Sequence, residues 1–141
     1  MKFFFDTSVL IAAVLVEHVH HEPSLAAYLK ADKKNGCCAA HTLAEVYASL
    51  TRLPGPHRIG GDQALLFLED IRRRLTTITL DEEDYCSAIA SAVAEGVVGG
   101  TIYDGLLAKC ALKANAMTIY TWDLDHFRLL GWEVARRVRS P

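Results

Sequence analysis

Four acidic residues stand where strands hand over to helices: Asp6, Glu45, Asp104 and Asp123. Asp6 follows Phe3-Phe4-Phe5, and Asp123 closes the stretch that starts with Met117 to Tyr120. Short apolar runs without alternation read as parallel strands buried on both faces. The carboxyl ends of such strands are where open α/β sheets place ligands and chemistry. Glu45 falls in the first turn of a helix leaving a strand at that edge, and Asp104 in the first turn of a helix that follows a loop. Four anions gathered there repel one another and favour protonation unless a cation intervenes. Hard oxygen donors of this kind suit Mg²⁺ or Mn²⁺ rather than zinc. The chemistry implied is metal-assisted attack of water on a phosphodiester, with Ser8, Thr7 and Thr121 holding a water or orienting a carboxylate.

Each acid also has a plainer local role. Asp6, Thr7 and Ser8 are all good helix N-caps. Glu45 completes a capping-box pattern begun by Thr42. Asp125 is a rival for the fourth position, with Asp123 preferred because it lies nearer the strand end.

The elements that position these residues alternate along the chain. A strand over Phe3–Phe5 leads into a helix carrying Val9, Leu10, Ile11 and Val14. The polar segment EHVHHEP reads as a solvated connection into a second helix running to about Lys33. Cys37–Ala40 reads as a strand, 42–53 as a helix stopped by Pro54-Gly55-Pro56, and 62–75 as a helix with Ala64, Leu65, Leu68, Ile71 and Leu75 on its inner side. Strand 76–80, helix 81–95 with acidic residues in its first turn, helix 102–114 and strand 117–120 follow, with Trp132-Glu133-Val134 as an expected edge strand. This order predicts one α/β domain over 1–141, in three layers, with a central, mostly parallel sheet.

Length and charge narrow the classes further. With 141 residues, 51% of them hydrophobic, and a formal charge of −2, the chain can bury a sizeable core and shows no overall demand for a polyanionic partner. No run has the length of a membrane span and the start lacks a signal-peptide pattern, so the expectation is a cytoplasmic protein with no membrane contact. Cys37, Cys38, Cys86 and Cys110 have no metal spacing and are expected to be reduced, mostly buried thiols. Lys33, Lys34, Arg52, His57, Arg58, Arg72–Arg74 and the tail arginines are the cations available to an RNA backbone, expected as a basic rim around the acidic pocket.

Phe5-Asp6-Thr7-Ser8, Thr42-Leu43-Ala44-Glu45-Val46, Ile102-Tyr103-Asp104-Gly105-Leu106-Leu107-Ala108 and Thr121-Trp122-Asp123 through Phe127 together resemble the PIN domain family. Within it, the pattern is similar to the VapC toxins of bacterial type II toxin–antitoxin modules. The resemblance implies an endoribonuclease that uses Mg²⁺ or Mn²⁺, is held inactive by a VapB-type antitoxin and forms homodimers. By matching positions it implies Asp6, Glu45, Asp104 and Asp123 as acidic metal ligands, with Ser8 as a polar helper. The excess of apolar residues in the first helix, Leu10, Ile11, Val14, Leu15 and Val16, suits a groove for an antitoxin segment.

Two other readings start from the same residues. A phosphatase using Asp6 as nucleophile needs a second Asp close behind it and a placed Lys, whereas position 8 is Ser. A non-catalytic module that only binds RNA or protein has no need to tolerate four mutually repelling acids.

Overall fold

The computed structural model describes residues 1–141. Five short strands, β1 (Phe3–Phe5), β2 (Gly36–Ala39), β3 (Thr76–Ile78), β4 (Thr118–Tyr120) and β5 (Val138–Arg139), form one sheet in the order β3-β2-β1-β4-β5. Every neighbouring pair is parallel. Parallel strands need crossovers, and the helices provide them. Helices α1 (Thr7–Val14) and α2 (His21–Leu29) join β1 to β2, and α3 (Ala40–Thr51) and α4 (Gly61–Arg74) join β2 to β3. Helices α5 (Glu82–Ala94) and α6 (Thr101–Lys113) join β3 to β4, and the short α7 (Leu124–Arg128) and α8 (Trp132–Ala135) precede β5. No helix is long and apolar enough to cross a membrane.

Successive side chains of β1 point to opposite faces, and both faces are covered. Phe4 packs with Leu107, Ala111, Ile119, Phe127 and Val138 beneath α6 to α8. Phe5 packs with Leu10, Tyr28, Val46, Leu50 and Ile71 beneath α1 to α4. The sheet is therefore the middle of three layers, as the pattern of elements predicts. All four cysteines are free thiols, with Cys37, Cys38 and Cys110 buried and Cys86 exposed.

Several local expectations are corrected. Trp132-Glu133-Val134 lies in α8, entered through Gly131 at φ 103°, and the edge strand comes later, where Arg137 and Arg139 carbonyls accept from Ile119 and Thr121. Three residues of apolar-polar-apolar pattern do not distinguish a strand from one helical turn. Leu65 is exposed rather than on the inner side of α4, which buries Ala64 and Ile71.

Gly36 opens β2 under close packing. A Cβ there would meet Leu75 Cδ2 at 2.8 Å and Ala31 Cβ at 2.9 Å. Both neighbours are buried, so Gly36→Ala is expected to cost about 1–3 kcal/mol through overpacking, read as a lowered urea midpoint at unchanged m-value.

Candidate active site

Asp6 leaves β1 with its backbone N–H donating to the Tyr120 carbonyl (3.0 Å), which ties the β1 exit to the β4 exit. It is the N-cap of α1 in extended conformation, so the capping role foreseen for it is present. It does more than cap. Its Oδ2 accepts from the Ser8 hydroxyl (2.7 Å), the Thr121 hydroxyl (2.8 Å) and, at 3.4 Å, the Ser8 backbone N–H. The same two hydroxyls take backbone donors from the β4–α7 segment: Trp122 N–H to Ser8 Oγ and Asp123 N–H to Thr121 Oγ1, both at 3.0 Å. One relay of four hydrogen bonds thus sets the carboxylate of Asp6 and the backbone of Asp123.

Only 3% of Asp6 is exposed. Burial pushes its pKa up to about 6, against the lowering effect of the Ser8 and Thr121 hydrogen bonds, and the charge of Asp123 pushes the same way as burial. Asp104, half-buried in the first turn of α6, is also raised, first by burial and then by Asp123, with a smaller contribution from Glu45. His126 opposes that rise, with Nδ1 3.9 Å from Asp104 Oδ2.

Glu45 is placed differently from its expected role. The chain passes from β2 directly into α3, so the helix starts at Ala40, ahead of Thr42, and no side chain caps it. Thr42 is buried within the first turn, and the capping box does not form. Instead the Thr7 hydroxyl donates to Glu45 Oε1 at 2.9 Å, linking α1 to α3.

Asp123 and Asp125 separate clearly. Asp123 is the N-cap of α7 and is the acid whose charge acts on both Asp6 and Asp104. The Asp125 side chain is fully exposed and pairs at 3.9 Å with Arg128 on the same helix. No three His, Cys, Asp or Glu side chains are grouped closely enough to hold a metal ion between them. Trp122 to His126 line an open groove of about 310 Å³ beside these acids.

The cations divide between the two edges of the sheet: Arg139 ends β5 beside Thr121, at the carboxyl edge, whereas others lie away from the acids. Lys33 and Lys34 come just before β2, and Arg72, Arg73 and Arg74 just before β3, so in a parallel sheet they lie at the amino edge, opposite Asp6 and Thr121. Lys33, Arg72 and Arg73 line one pocket there with Glu69. The histidine segment also departs from a solvated connection: His21 Nδ1 is 2.9 Å from the Ala12 carbonyl and His20 stacks on Trp122. Ser24, buried at the far end of the Trp122 indole, was not legible as part of this region because only the fold brings it there.

An α/β sheet with acids collected at its carboxyl edge is the architecture of a known class, and a family model described as the PIN domain matches residues 3–132. The chain belongs to the PIN domain family. Among curated proteins it is similar to Ribonuclease VapC40 of Mycobacterium tuberculosis, 35% identical over 119 residues that make up 84% of each chain. Its fold is that of the crystal structure of Mycobacterium tuberculosis VapC20, described as a Sarcin-Ricin loop cleaving toxin (TM-score 0.72, 16% identity, 89% of this chain and 92% of that one). It is also that of VapBC2 from Rickettsia felis, solved bound to a DNA fragment from its promoter (TM-score 0.66, 17% identity, 99% and 98%). The resemblance read from the four sequence segments and the three-layer fold expected with it are both found.

Proposed function

We propose that this chain is an endoribonuclease dependent on Mg²⁺ or Mn²⁺ and the toxin of a VapBC-type module, with residues 1–141 acting as one domain in the cytoplasm. The observation that carries the metal site is the buried Asp6 carboxylate, raised to about 6 with Asp123 adding to the rise. An anion set this deep, facing like charge, is stabilised by a divalent cation. Asp6, Asp104, Asp123 and Glu45 are the acids from which the ion would take one or two direct carboxylate ligands, the others acting through its waters. The open arrangement suits Mg²⁺, which is held by one or two carboxylates and completes its shell with waters and substrate phosphate oxygens. When bound, the ion supplies an activated water and neutralises charge at the phosphorus.

The chain's own residues prepare that chemistry. Ser8 and Thr121 fix Asp6 through Oδ2, so the carboxylate plane is set before any ion arrives. Thr7 does the same for Glu45 through Oε1. The substrate is RNA, and partners are a VapB-type antitoxin and a second copy of the chain. A groove of about 440 Å³ between the end of α1 and the α3–α4 turn, lined by Val14, Leu15, Val16, Leu53 and Pro54, is the seat proposed for the antitoxin segment.

Purified protein incubated with total RNA is expected to release discrete fragments in Mg²⁺ or Mn²⁺ and none in EDTA. Cleavage that persists undiminished in EDTA would overturn the metal mechanism. A folded protein that shows no Mn²⁺-dependent stabilisation and cuts nothing would support the non-catalytic module instead.

A further inference from the structure

We infer that His20 and Trp122 form a stacking platform for a nucleobase of the bound RNA beside the acidic groove. The inference rests on the ribonuclease reading of the same site.

The two rings lie 3.7 Å apart between centroids and within 6° of parallel. The Trp122 ring is held from behind, and the backbone of His20 is held beside it. The Trp122 indole N–H donates to the buried Ser24 hydroxyl at 2.9 Å, and the Trp122 backbone N–H donates to Ser8 Oγ, the hydroxyl that also holds Asp6. His20 donates its backbone N–H to His18 Nδ1 (3.0 Å), and its carbonyl accepts from the Ser24 N–H (3.2 Å). A histidine in a polar connecting segment is thus ordered against an aromatic ring two hydrogen bonds from the central carboxylate. A Trp122 ring fixed in this way, with His20 already stacked on it, binds a further ring at a smaller cost in rotamer freedom.

Charge gives the second reason. The groove that Trp122 lines carries Asp123 and Asp125, and the lysine and arginine cluster of 33 and 72–73 lies at the opposite edge of the sheet. Arg128, paired with Asp125, and Arg139 at the end of β5 are cations at this same edge, and a stacked base adds to them a contact that the acids do not repel. Stacking involves no net charge, is tolerant of sequence, and is available only from bases that are splayed out of a helix.

The test uses the full chain and a random-sequence single-stranded RNA decamer in EDTA, so that binding is read without cleavage. The decamer is expected to bind more tightly than its duplex form and to shift the ring resonance of His20. His20→Ala is expected to weaken decamer binding about fivefold or more, the lower end of one lost base stack, and His20→Tyr to restore it. The unchanged melting temperature of both variants separates this from a folding defect. Equal binding by wild type and His20→Ala, a His20 resonance that does not move, or no decamer binding at all would each overturn the platform. In metal, cleavage with kcat/KM unchanged in His20→Ala keeps the ribonuclease reading and removes the platform. A stacking signal from protein that cuts no RNA in any metal does the reverse.

Discussion

Asp6→Asn is expected to abolish RNA cleavage, a loss of about a thousandfold or more if metal is the main source of rate, while making the metal-free protein more stable. The stability gain follows from the direction of the pKa shift. Asp6 titrates at 3.8 when solvated and at about 6 in the folded chain, so the fold binds a proton more tightly than the unfolded state does. The stability linked to that proton is complete below pH 4 and is lost as pH rises through 6. Carried to neutral pH, the shift corresponds to roughly 3 kcal/mol of destabilisation by the ionised carboxylate. Asparagine keeps an oxygen for the Ser8 and Thr121 donors and carries no charge, so most of that penalty disappears. Thermal melts in EDTA should show wild type and variant together near pH 4 and separating through pH 6, with the variant several degrees higher at pH 7. Mn²⁺ should close the gap by stabilising wild type only. A variant that melts below wild type in EDTA at pH 7, or one that still cuts, would remove Asp6 from the centre of the site.

Phe5→Ala is expected to produce the largest loss of stability in the chain, about 3–5 kcal/mol, since it removes a wholly buried ring from the middle of the sheet. The ring packs edge-on to Tyr28 (6.3 Å between centroids) and tilted against Tyr120 (5.7 Å), so it joins α2, β1 and β4. Chemical denaturation gives the size of the loss. Phe5 also precedes Asp6 directly, and the void beneath it loosens the turn on which the Ser8–Asp6–Thr121 relay depends. Activity should therefore fall further than the folded fraction accounts for. An unfolding midpoint within about 1 kcal/mol of wild type would mean that the sheet collapses to fill the space.

The features read from the sequence are those with a local cause. The aromatic run Phe3–Phe5 could be recognised as a strand buried on both faces because no residue in it is polar. Asp6, Asp104 and Asp123 could be singled out because each sits at a strand exit or in a first helical turn; Glu45 was expected in a first turn and lies one turn further into α3, which starts at Ala40. The helix from Glu82 is marked by its acidic first turn, and Asp81 with Asp84 forms the capping box there. The box expected at Thr42 and Glu45 is not formed, although the local pattern is as good, because β2 runs straight into α3 and Thr7, 38 positions before Glu45, takes its carboxylate. Lys33, Arg72 and Arg73 were legible as cations but not as a cluster on the far edge.

Sequence alone determined most of the element types and the parallel sheet, and it pointed to the candidate acids, since periodicity, caps and strand ends are properties of neighbouring residues; the turn at Trp132–Val134, too short for a period to show, is the exception. Tertiary structure alone decided which hydroxyl orients which carboxylate, why Asp123 rather than Asp125 acts on Asp6, and that His20 lies on Trp122. Those contacts join residues as far as 115 positions apart, as Asp6 and Thr121 are, and no local preference selects them. They exist because burial of Phe4 and Phe5 draws β1 and β4 side by side, which leaves the polar groups at the two strand exits to satisfy one another.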